Sequence, residues 1–160
     1  MPSPSFLNSI AQLGKLDIPY DILIHQNQIH EAIGLVERFK HQIFVLNHLG
    51  KPKIGQTIDD AWVQGIQTLG KYENVVCKIS GMVTETENFK WQQELFCDYL
   101  NIVVEAFGMD RLLFGSDWPV CLVAAEYSDV LNIIKSYFQS FSALEQSKIF
   151  GLNAKRIYKL

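Results

Sequence analysis

Cysteine is scarce in this chain, and what there is does not pair by sequence. Cys77, Cys97 and Cys121 are odd in number, far apart and form no Cys-x-x-Cys. The pattern speaks against a disulfide framework or a structural zinc knot of thiols and fits a reducing, cytoplasmic compartment. Cys77 in "VVCKIS" and Cys97 in "ELFCDYL" sit in apolar stretches and are expected to be buried as small hydrophobes. Long hydrophobic runs are missing too; none approaches the roughly 18–20 residues of a membrane span. The start, "MPSPSFLNS", lacks both a basic region and a long apolar one, so it does not read as a signal peptide. Basic side chains are scattered, 14 Lys and Arg against 17 Asp and Glu, with no stripe that would track a nucleic acid. No Gly-rich phosphate loop occurs: "HLGKPKIG" has Gly50-Lys51 without the earlier Gly or the following Ser or Thr.

What remains is an ordinary globular composition, 48% hydrophobic and 19% charged over 160 residues, enough for one domain with a sizeable core. Short apolar runs alternate with longer amphipathic ones. Helices are expected over 5–16, 31–40, 88–107 and 127–140, and another from Asp60 with Thr57 and Asp59 as candidate N-caps. In that helix Ala61, Trp62, Ile66 and Leu69 share a face. Gly108 supplies a stop after residue 107. A capping box at Ser142 and Glu145 opens a helix that Gly151 ends, and a short helix "NAKRIYKL" follows. Strands are expected over 20–25, 42–48, 74–80 and 111–116. Continuously apolar strands, each followed by a helix, predict an α/β fold of parallel (β/α) units in a single domain, 1–160.

In such folds the chemistry gathers at the carboxyl ends of the strands. Those ends carry His25, His48, Lys78 with Ser80, and Ser116 with Asp117. His and Asp suit a hydrolytic divalent metal, and both can act as general bases. Each has a plainer reading. His48, just before Gly50 and Pro52, could hydrogen-bond a turn; His25 ends a weaker strand; Lys78, alternating with Cys77 and Ile79, could form an ion pair inside the sheet. Trp118 either shapes a loop with Pro119 or walls a substrate pocket. Glu85 and Glu87 follow the third strand on the same rim as weaker candidates, while His30 and His41 read as solvated.

Together "NHLGKP", "CKISGMVTE", "RLLFGSDWPVC" and "IFGLNAKRIY" resemble the amidohydrolase-related family of metal-dependent TIM-barrel hydrolases, and most of all its L-fuconolactonase-like sugar-lactonase branch. The resemblance runs from about "LDIPYDILI" to the last residue. It implies hydrolysis of a lactone or amide carbonyl by activated water, with Asp117 as general base and His48 beside it as catalytic groups. Trp118, Lys78 and His25 would contact substrate. It also implies one divalent metal ion, zinc by preference, at Asp117, His48 and His25, in a branch whose metal use varies. Asn47 stands where the branch more commonly has an acid.

A complete barrel of this kind takes about 250 residues and eight strands. The chain resembles strands five to eight alone, the C-terminal half, N-terminally truncated relative to the family and without its His-x-His pair. Three readings follow: a homodimer or a complementary half-barrel chain completes an enzyme acting on a small-molecule substrate; the chain is a catalytically incompetent truncated half-barrel; or it is a non-catalytic α/β binding module.

Overall fold

The computed structural model of the chain describes residues 3–160. Helix α1, Pro4–Lys15, starts where the Ser3 hydroxyl accepts from the Phe6 amide and Pro4 occupies the first turn. Strand β1, Tyr20–Ile22, is followed by α2, Ile29–Arg38; β2, Phe44–Leu46, by α3, Asp60–Gly70. Strand β3, Val75–Ile79, leads to α4, Cys97–Phe107, and β4, Leu112–Phe114, to α5, Tyr127–Tyr137. Helices α6, Ala143–Ser147, and α7, Asn153–Tyr158, close the chain. No helix of the described residues is long and apolar enough to cross a membrane.

The four strands form one parallel sheet in the order β1-β2-β3-β4, with Tyr20 beside Phe44, Phe44 beside Val75, and Cys77 beside Leu112. Helices α2, α3 and α4 are the crossovers that the three parallel pairs require. Because successive side chains alternate, the sheet has two distinct faces. Phe44, Leu46, Val75, Cys77, Ile79 and Leu112 face the helices and enter the main core with Trp62, Phe96 and Phe138. Val45, Val76 and Leu113 point the other way, into a small second core where Ile157 of α7 covers them. The last helix thus lies across the opposite face of the sheet from α2–α5.

Several local expectations need correction. The segment 88–96 is not α-helical: Asn88 and Phe89 adopt left-handed backbone, and a short 3₁₀ turn, Gln93–Phe96, precedes α4. The indole of Trp91 donates to the Ala124 carbonyl at 3.0 Å, fixing the segment as a loop beside the one that follows β4. Cys77 is buried as expected, but Cys97 opens α4 at an exposed position, and Cys121, for which the sequence offered no expectation, is buried. Ala61 is exposed at the start of α3, where Asp59 alone provides the cap, accepting from the Ala61 amide. The Ser142–Glu145 capping box is present, but Gly151 ends nothing. It lies in a π-helical turn, Lys148–Leu152, that runs into α7. There the Asn153 amide donates to the carbonyls of Met109 and Leu112, both at 2.8 Å, anchoring α7 under β4.

Candidate active site

The carboxyl end of β2 turns sharply. His48, Leu49, Gly50 and Lys51 all have positive φ, between 50° and 73°. Three of the four carry a Cβ, which costs roughly 1–2 kcal/mol per residue in the left-handed region. Such a turn persists only where its surroundings over-determine it. Here the buried indole of Trp62 donates to the Leu49 carbonyl at 2.8 Å, and the Lys51 amide donates to the His48 carbonyl at 2.7 Å. The turn is also zipped to the loop after β3: Lys51 and Glu85 form an ion pair at 2.5 Å, and the Ile54 amide donates to the Glu85 carbonyl.

This backbone projects the His48 imidazole over β3. Its Nδ1 lies 2.8 Å from the Ser80 hydroxyl, which is buried. The ring occupies the space that Gly81 leaves free; a Cβ on Gly81 would stand 2.6 Å from Nδ1, and its φ of +65° also favours glycine. From the other side comes Asp117, at the tip of β4, itself left-handed with φ 58°. Its Oδ1 is 3.7 Å from His48 Nε2. That separation is beyond a hydrogen bond, and it leaves both groups able to engage one small molecule. The Asp117 carbonyl accepts from the Cys121 amide at 2.8 Å, which holds the strand tip in place.

Burial pushes the His48 pKa below the ordinary 6.5, since charging a desolvated ring is costly; Asp117 works against this, while Lys51 and Lys78 reinforce it. A neutral imidazole therefore faces Asp117 near pH 7.

The remaining candidates fall in different places. Lys78 lies on the α7 face of the sheet, with Nζ 2.7 Å from Asp21 Oδ2 and 5.4 Å from the centre of the Tyr158 ring. Burial disfavours its ammonium, but the bonds to Asp21 and Tyr158 outweigh this and raise its pKa. Lys78 is thus an ion-pair partner within the sheet and also part of the charge around His48. Trp118 is exposed beside Asp117. His25 is exposed, and its backbone amide donates to the Gln28 side chain. His48 and Asp117 are brought together; His25 is not joined to them. No three His, Cys, Asp or Glu among the described residues converge to hold a metal ion. Ser80 stood at a strand end in the sequence, but its bond to His48, the space Gly81 leaves for the ring and the Trp62 hold on the turn were not legible there. Lys78 is the ion-pair candidate that the sequence offered, whereas its partner Asp21 was missed, although an acid inside an apolar strand is a signal that could have found it.

The amidohydrolase family model matches residues 7–160. An L-fucono-1,5-lactonase of Burkholderia multivorans is 34% identical over 97% of this chain and 56% of its own length. A crystal structure of an amidohydrolase from the same organism, with zinc bound, superposes with a TM-score of 0.93 at 34% identity, covering 99% of this chain and 58% of that one. Amidohydrolase 2 of Bifidobacterium longum subsp. infantis, at 18% identity and a TM-score of 0.79, shares the fold. The chain spans about half the length of the curated relatives it matches. It belongs to the amidohydrolase family, in the L-fuconolactonase-like branch.

Proposed function

We propose that the chain carries the catalytic rim of a hydrolase that opens a sugar lactone by attack of water on the ring carbonyl. Asp117 takes a proton from the attacking water, and His48 stabilises the oxygen on which negative charge gathers. The proton then passes to the ring oxygen as the ester bond breaks. The observation that carries this reading is the convergence of His48 and Asp117 at the carboxyl end of a parallel sheet, each held in left-handed backbone. Strain of that kind collects where a side chain must be aimed. Similarity to the lactonase of Burkholderia multivorans supplies the substrate class. Trp118 walls the sugar, with His25 and Lys78 as outer contacts. Three unbridged thiols fit a cytoplasmic setting.

A divalent metal has an incomplete seat. His48 and Asp117 offer two donors, whereas a hydrolytic zinc takes three protein ligands. The residues present do not by themselves fit the ion, and no step above runs through one.

The working unit in this reading is an eight-stranded barrel of which the chain is the C-terminal half, strands five to eight. Among the described residues nothing pairs with the outer sides of β1 and β4. Exposed apolar side chains flank both edges, Leu16, Ile18 and Leu23 near β1 and Val120, Leu122 and Val123 after β4. Such edges invite a further strand, supplied by a complementary half-barrel chain or a second copy. Those same edges favour a second reading of the chain on its own, as a catalytically incompetent half-barrel or a non-catalytic binding module.

The deciding experiment follows acid release from L-fucono-1,5-lactone by the wild-type chain and by Asp117→Asn, with association read by size-exclusion chromatography. Turnover above the spontaneous rate that Asp117→Asn abolishes, with the fold retained, supports the enzyme. Unchanged turnover in the variant overturns Asp117 as base. No turnover by the wild type, with saturable quenching of Trp118 by the lactone, establishes the binding module instead.

A further inference from the structure

Ser80 is 3% exposed, and its Oγ lies 2.8 Å from His48 Nδ1. A hydroxyl so buried needs an acceptor for its proton, because an unmade buried donor costs about 1–3 kcal/mol. Among the described residues this hydroxyl makes no other hydrogen bond. If Ser80 donates to Nδ1, the neutral ring carries its own proton on Nε2. That is the nitrogen facing Asp117. The opposite tautomer would leave the serine proton without a partner and would turn the Nε2 lone pair toward a carboxylate. Both penalties act in the same direction.

The ring has little freedom to avoid the choice. Its backbone is fixed in the left-handed region, and Gly81 lies directly against Nδ1, Cγ and Cβ. Turning the imidazole over would take Nδ1 away from the Ser80 hydroxyl.

We infer that Ser80 is a positioning residue that fixes neutral His48 as the Nε2–H tautomer. His48 is then a hydrogen-bond donor through Nε2, not a base or a metal ligand through that atom. The identity of what receives the bond, the oxygen of an opening lactone, rests on the function proposed above; the tautomer does not.

The test is long-range proton–nitrogen NMR of the 15N-labelled chain at a pH where its imidazoles are neutral. The chain has four histidines, and the signals missing from His48→Gln assign the ring. The wild type is expected to show a pyridine-type Nδ1 and a pyrrole-type Nε2. Ser80→Ala should move both nitrogens toward the averaged values of a free imidazole, and Ser80→Thr should restore the wild-type pair. A pyrrole-type Nδ1 in the wild type overturns the inference, as do averaged values there or a Ser80→Ala spectrum identical to wild type. Should Ser80→Ala fail to fold, the wild-type spectrum still decides the tautomer. No turnover is needed, so failure here and failure of the lactonase reading are told apart.

Discussion

Asp21 on the first strand and Tyr158 on the last helix are hydrogen-bonded at 2.8 Å although 137 positions separate them. The other Asp21 oxygen takes the Lys78 ammonium, so β1, β3 and α7 meet in one polar knot. It sits beside the small core of Val45, Val76, Leu113 and Ile157. An edge strand of the sheet is in this way tied to the end of the chain.

Tyr158→Phe removes only the hydroxyl and leaves the Asp21–Lys78 pair intact. A loss of about 1 kcal/mol is expected, the net worth of one such bond. Amide exchange in α7 should quicken while that of α3 is unaffected. An unchanged urea midpoint together with unchanged exchange would show that the knot contributes nothing.

Gly81→Ala should damage the site from beneath. Left-handed backbone at a residue with a Cβ costs roughly 1–2 kcal/mol, and the methyl group would displace the imidazole from Ser80. On the lactonase reading turnover falls on the order of 100-fold, the effect of an ångström-scale misplacement. A crystal structure of the variant with the His48–Ser80 bond intact would contradict this account.

His48 makes stability depend on acid. Its folded pKa lies below 6.5, chiefly through burial, so the unfolded chain takes up the proton first as pH falls. With respect to this group, stability is fully present above about pH 6.5 and declines as the pH drops from there through the folded value. Urea titrations at successive pH values should show that slope, and His48→Gln should flatten it. Asp117→Asn should steepen it, because Asp117 is the charge that opposes the shift.

Thiol reactivity reports whether the isolated chain holds this fold. Burial pushes the Cys77 thiol up to about 12, and Cys121 is buried, whereas Cys97 is exposed at the start of α4. Iodoacetamide on the native chain should give one fast adduct, at Cys97, by mass spectrometry. Fast labelling of all three thiols would mean that the core is not formed.

The alternation of short apolar runs with amphipathic ones carried the element order, because buried parallel strands and covering helices have different periods. Asp117 and His48 stood out as polar groups ending apolar strands. The span 88–107 misled because Trp91, Leu95, Tyr99 and Val103 keep helical spacing, while left-handed backbone at Asn88 and Phe89 and extended backbone at Lys90 and Gln92 break it without a proline to mark the place. The left-handed turn was hidden for a similar reason: only Gly50 among its four residues is a glycine, and the Trp62 indole that holds it is distant in sequence. Lys78 stood out as a charge inside an apolar strand and Asp21 did not; their meeting depends on strand register, which places Lys78 beyond Val76, the neighbour of Val45 that stands beside Asp21.

The run of positive φ from His48 to Lys51 sets thermal robustness and chemistry at odds. Glycine at 48 would relieve backbone crowding without emptying the core, whereas at 49 it would remove a fully buried leucine, so selection for heat tolerance alone would drift toward glycine at 48. At 48 that drift would delete the imidazole. Breeding a hardier version of this chain by survival screening would therefore erode the rim first, and the histidine would be retained only where the screen also demands its chemistry.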